Sequence, residues 1–124
     1  MKLILSLATL SLCAAGSAYG ACSYPQSPSK LPDGNTATME EMQAAAKAVR
    51  QYDADINAYV ACLKLEHDQS VAKDAAALTD EQKKEIERMQ VQKHNAAIDE
   101  LEGVATRFNE QVKVFKAKND KKKS

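Results

Sequence analysis

The sequence has no tryptophan, few aromatic residues of any kind (5%), no excess of either charge and, past its first twenty residues, a thin supply of large aliphatic side chains. Each shortage excludes something. Formal charges cancel, 17 Lys plus Arg against 17 Asp plus Glu, so no global field steers a polyanion and no nucleic-acid partner is expected. Beyond the leader, Leu, Ile, Val and Phe fall below the roughly 20% that usually supports a core, and Ala is abundant instead. A monomer is then marginal without a covalent staple or a partner. There is no glycine-rich phosphate loop and no nucleophile with a plausible base, so neither a catalytic residue, a cofactor nor an enzyme activity is expected.

The one long apolar run stands at the start. Lys2 precedes an apolar stretch from Leu3 to about Ala15 and then small residues, the pattern of a secretory signal peptide over residues 1–20. It is too short for a membrane span. Ala18-Tyr19-Gly20 places cleavage after Gly20, with cleavage after Ala18 as the near alternative. Cys13 leaves with the leader. Cys22 and Cys62 remain in a compartment, the periplasm, where disulfides persist, and each is the other's expected partner. A competing reading takes Tyr19-Gly20-Ala21-Cys22 as a lipobox with an acylated, membrane-anchoring Cys22; Tyr19 stands where such sites usually carry Leu.

Three prolines, Pro25, Pro28 and Pro32, and no hydrophobic period make residues 21–37 an extended strap ending in a turn at Pro32-Asp33-Gly34-Asn35. Thr38 and Glu41 form a capping box that opens a helix over residues 38–66. Met42, Ala45, Val49, Tyr52, Ile56, Tyr59 and Leu63 follow at alternating spacings of three and four, a coiled-coil-like seam. The seam fails at Glu66 and Ser70, so residues 67–77 read as a connection with room for a short helical turn. Thr79 and Gln82 then cap a second helix over residues 80–118, whose seam is Ile86, Met89, Lys93, Ala97, Leu101, Val104, Phe108, Val112 and Phe115. Residues 119–124 read as a frayed basic tail. The predicted fold is all-α: an antiparallel two-helix hairpin (residues 38–118) with an extended Pro-rich N-terminal strap.

Folding about position 74 or 75 sets Leu63 against Ile86, Tyr52 against Ala97, Ala45 against Val104 and Met42 near Phe108. Val112 and Phe115 are left over, for Tyr24 and Leu31 of the strap to cover. Residues 38–62 climb about 36 Å as helix, while the strap spans up to about 50 Å in polyproline geometry. It can double back along the first helix to Cys62.

Residues 31–63 and 95–116, with Cys62 in place, resemble an uncharacterised family of small exported proteobacterial helical proteins. The resemblance implies a helical exported protein and no particular activity. Residues 78–89, beginning Leu78-Thr79-Asp80-Glu81-Gln82, are similar to the Leu-Thr-x-x-Gln motif of the Spy-type periplasmic chaperones, which bear it twice. Here the counterpart before the first helix is Ala37-Thr38-Met39-Glu40-Glu41, which departs from it.

Glu66, His67, Asp68 and His94 are the only imidazole and carboxylate grouping that suggests a metal, and the hairpin register separates His67 from His94 by two to three helical turns, so no metal site is assigned. Lys113, Lys116, Lys118 and Lys121 to Lys123 form a basic end suited both to a helix C-terminus and to weak contact with an anionic surface. The leading expectation is an exported non-enzymatic interaction protein of the cell envelope, meeting another protein or a second copy of itself. The alternatives are a Spy-type holdase and a metal-binding stress protein.

Overall fold

The computed structural model describes residues 22–74 and 76–124. The expected leader, with Cys13 and both cleavage positions, lies outside the described residues. Among the described residues are two α-helices and no strand: α1, Met39–Asp74, and α2, Asp80–Lys123. They pack against each other as an antiparallel hairpin, and residues 22–37 form the extended strap. Both capping boxes are built. The Thr38 N–H donates to Glu41 Oε2 at 2.7 Å while the Glu41 N–H donates to Thr38 Oγ1 at 3.1 Å. At α2 the Thr79 N–H donates to Gln82 Oε1 at 2.9 Å, and the Gln82 N–H returns the bond to Thr79 Oγ1 at 3.2 Å. Each box satisfies two N–H groups that a helix start otherwise leaves open.

Both helices outrun their expected ends. α1 continues through residues 67–74, expected to be a connection, because loss of an apolar period is not loss of helix propensity. The segment holds no glycine or proline, and a Lys64–Asp68 ion pair at 2.7 Å links successive turns across its start. α2 continues to Lys123 where a frayed tail was expected, its last turn carrying Lys121, Lys122 and Lys123 against the negative pole of the helix. The hairpin's midpoint, taken between Asp74 and Asp80, is therefore residue 77 rather than 74 or 75.

The core lies in two clusters at one half of the hairpin. The first joins Tyr52, Ile56, Tyr59 and Leu63 of α1 to Ala97 and Val104 of α2, with Val49, Leu101 and Cys22 against them. The second joins Met42 to Phe108 and Phe115, with Ala37, Leu31 and Val112 around them. Tyr52 shares a cluster with Ala97, and Met42 with Phe108. Ala45, however, packs with the second cluster while Val104 belongs to the first, a consequence of the shifted midpoint. Ile86 is half-buried and belongs to neither. No helix among the described residues is long and apolar enough to cross a membrane.

Candidate functional site

The strap is fastened at both ends. At its start Cys22 is disulfide-bonded to Cys62, the Cα atoms 5.8 Å apart, and closes a loop of sequence separation 40. The Cys22 N–H donates to Glu66 Oε1, one turn further along α1, at 3.1 Å. Two residues on, the Tyr24 ring stands edge-on to Tyr59 at 5.0 Å and 71°, and its hydroxyl donates to Glu100 Oε2 at 2.8 Å. Strap, α1 and α2 are thus clasped together. Tyr24 was expected over Val112 and Phe115, but the bridge anchors it beside Tyr59, and Leu31 and Ala37 cover Phe115 instead. With its sulfur in the bridge, Cys22 has no thiol for an acyl chain.

Partial desolvation raises the Tyr24 phenol above the usual tyrosine range although the residue is 44% exposed, and the hydrogen bond to Glu100 raises it further. Tyr52 beneath is 2% exposed, and its hydroxyl has no hydrogen-bond partner among the described residues. Burial raises this phenol too, against the opposing effect of the Tyr24 hydroxyl. An open groove of about 350 Å³ runs beside the bridge, lined by Ser23, Pro25, Asp55 and Ala58 along with Tyr59 and the cystine itself.

At its other end the strap is seated by a turn. Asp33 organises it, accepting the Asn35 N–H on Oδ1 at 2.8 Å and the Ala37 N–H on its carbonyl at 2.8 Å. Gly34 then lies against the backbone of α2, and its N–H donates to Gln111 Oε1 at 2.8 Å. A Cβ on Gly34 would run into the Gln111 carbonyl oxygen and stand 2.8 Å from the Phe115 nitrogen. Glycine is needed here for close approach, not for its dihedral freedom.

Past the clasp no described element covers the hairpin. No described residue of α1 after Leu63, and none of α2 before Ala97, is buried. A groove of about 210 Å³ between the helices is lined by Leu63, Glu66, His67, Ile86, Met89 and Lys93, among others. Leu65 is 59% exposed, and Met89 and Val91 are each 46% exposed. A second groove, of about 450 Å³, has His67, Asp68 and His94 in its lining. Moving the midpoint to residue 77 slides α2 past α1 by about five residues, roughly 7 Å, and leaves His94 about two helical turns from the level of His67, the near end of the expected separation. Sharing a groove does not make them ligands of one ion. No group of three or more His, Cys, Asp or Glu side chains among the described residues is arranged to hold a metal. Asp68 accepts a hydrogen bond from Lys64 and lies 3.5 Å from His67 Nδ1; the first contact, aided by the second, holds its carboxyl below the usual range.

The basic end of α2 lies at the opposite pole. Phe115 is its last clustered residue, and Lys118 Nζ sits 6.0 Å over the Phe115 ring.

Tyr24, Glu66, Glu100, Gly34 and Gln111 are the residues of the clasp and seat that sequence reasoning missed as contacts. The position of Tyr24 two residues past Cys22 was a usable signal, since a bridge to Cys62 delivers that ring to the neighbourhood of Tyr59. Comparison with known proteins returns no matching family model, curated protein or solved structure.

Proposed function

We propose that this chain is an exported, non-enzymatic interaction protein of the cell envelope that presents the bare half of its hairpin to another protein or to a second copy of itself. The observation that carries the reading is the unequal covering of one continuous pair of helices. The strap closes over one half, while the other has no buried residue among those described and keeps an open groove where Leu63, Ile86 and Met89 stand among polar side chains, with Leu65 and Val91 exposed outside it. An uncovered helix–helix seam of this kind supports a contact role. The leader-like opening and the Cys22–Cys62 bridge support export into an oxidising compartment, the periplasm.

Light scattering across a concentration series, paired with capture from periplasmic extract, tests the reading when Leu65→Glu/Met89→Glu is run beside the wild type. Association or specific capture that the double variant loses is the expected result. A wild type that stays monomeric and enriches nothing beyond what the variant enriches overturns it.

A second reading, a Spy-type holdase, draws on the same bare half, because Met89 at an open groove suits adaptable binding. The Leu-Thr-x-x-Gln likeness adds little, since Thr79 and Gln82 are both engaged in capping. Suppression of aggregation of an unfolded client distinguishes this reading from stoichiometric partner binding.

A further inference from the structure

We propose that the overhanging C-terminal end of α2 is a foot that docks on the anionic headgroups of a lipid bilayer. The inference is independent of the protein-binding reading of the other pole. α2 carries its helix eight residues past Phe115, the last residue it packs into the core, and so projects about 12 Å beyond the body of the hairpin. On that projection stand Lys116, Lys118, Lys121, Lys122 and Lys123 against the single acid Asp120. All but Lys118 are exposed, and none of the five makes an ion pair among the described residues.

Magnitudes separate a docking role from simple complementarity to the helix dipole. The C-terminal pole of a helix amounts to about half a negative charge, whereas the overhang has a net formal charge four times that of a single lysine, five cations less one anion. Capping the dipole leaves most of it unspent. The acids of the body on this side are Asp33, beside the Gly34 seat on Gln111 and Phe115, Glu40 and Glu41 in the first turn of α1, and Glu110, six residues before Lys116 on α2. Screening at physiological ionic strength acts over about 8 Å, less than the length of the projection. The tip is therefore felt as basic although the chain as a whole is neutral.

The arrangement also selects among anionic partners. At 100° per residue the five lysines spread over about 220° of the rod's circumference rather than along one stripe. One carboxylate or phosphate cannot meet them together, and an acidic groove matched to one face leaves the others unpaired. A rod end pressed onto a dense plane of phosphates satisfies all of them. No wide apolar face accompanies the lysines, so the contact is electrostatic and peripheral, without insertion. Each lysine near an anionic membrane surface is worth about a fivefold gain in binding.

The experiment is vesicle flotation of the full chain, using phosphatidylcholine vesicles with and without phosphatidylglycerol, at low and high salt. Wild type should float with the anionic vesicles at low salt, sink at high salt and ignore pure phosphatidylcholine. K116Q/K121Q/K122Q/K123Q should weaken binding about six-hundredfold, while K47Q/K73Q/K83Q/K84Q, with the same change in net charge, should weaken it by less than about fivefold. Arginine at the four foot positions should restore binding, which separates loss of charge from loss of fold. Equal binding to neutral vesicles, equal losses in the two glutamine variants, or full competition by soluble glycerol phosphate at matched phosphate concentration overturns the proposal. So does tighter binding to an acidic protein than to the vesicles.

Discussion

Ile56 and Ile86 occupy equivalent places on the seams of their helices, yet Ile56 is 0% exposed and Ile86 is half-buried outside either cluster. The difference is not in the helices. Two helices enclose only the strip between them, and a residue on that strip stays accessible from either side until a third element closes over it. Along one half of this hairpin the strap is that element, covering Tyr59 with Tyr24 and Phe115 with Leu31 and Ala37. Along the other half no described element covers the seam, and the same spacing of apolar residues produces a groove. A hydrophobic period specifies which face a helix offers; burial depends on what arrives to cover it.

The largest way to break the contrast is to unfasten the strap. Cys62→Ser removes a loop closure of sequence separation 40, worth about 4 kcal/mol in the chain-entropy description. It also frees the strap's start from the neighbourhood of Glu66 and Tyr59. The expected result is a fall in the thermal midpoint with rapid protease cleavage and amide exchange in residues 22–37 and around Tyr52 and Ile56. Exchange in residues 67–74 and 80–96 should hardly change, because no contact to the strap is made there among the described residues beyond the Cys22–Glu66 bond. Equal acceleration in both halves would show the hairpin to be one cooperative unit and would erase the distinction.

A matched pair of truncations sharpens it. Ile56→Ala should cost about 3 kcal/mol in urea unfolding, the range for large-to-small changes at a fully packed site, and Ile86→Ala less than about 1 kcal/mol. Similar costs at the two sites would mean that the distal groove is closed in solution, by a second copy or otherwise. Repeating the Ile86→Ala measurement at several protein concentrations identifies self-association, because only then does the cost grow with concentration.

Much of this architecture was legible because it rests on local rules. The Thr38/Glu41 and Thr79/Gln82 boxes follow from side-chain reach over three residues, and the turn at Asp33-Gly34-Asn35 from residue types that favour turns. The pairing of Cys22 with Cys62 followed from an even count and a reachable distance. What escaped depended on partners far away in sequence or on weak signals. Residues 67–74 have helix propensity without amphipathic period, and reading period as the sole mark of a helix ended α1 two turns early. That error shifted the midpoint and with it the pairing of Ala45 and Val104. Gly34 was recognised as a turn residue, yet its tight seat on Gln111 and Phe115 requires knowing where the turn lands. Glu66 and Glu100 looked like solvated surface acids until the strap brought the Cys22 N–H and the Tyr24 hydroxyl to them.

The smallest expected effect probes the covered half from within. Tyr24 and Tyr52 both have phenols raised above the usual value near 10, Tyr24 chiefly by partial desolvation and then by Glu100, Tyr52 chiefly by burial. A raised folded-state value means that the fold favours the protonated phenol. Its contribution to stability is complete below the unfolded value and is lost as pH rises past it toward the folded value. Stability should therefore decline above about pH 10, with lysine titration contributing equally in every variant. Tyr24→Phe and Tyr52→Phe should each flatten that decline, and at neutral pH they should diverge. Tyr24→Phe loses the bond to Glu100 and should cost about 0.5–1 kcal/mol. Tyr52→Phe removes a buried hydroxyl without a partner and should be neutral or stabilising by about 1 kcal/mol. Urea unfolding of both variants at neutral and alkaline pH decides the matter. A clear loss of stability in Tyr52→Phe at neutral pH would mean that its hydroxyl is bonded beneath the strap, and that the covered half holds a polar contact as well as an apolar one.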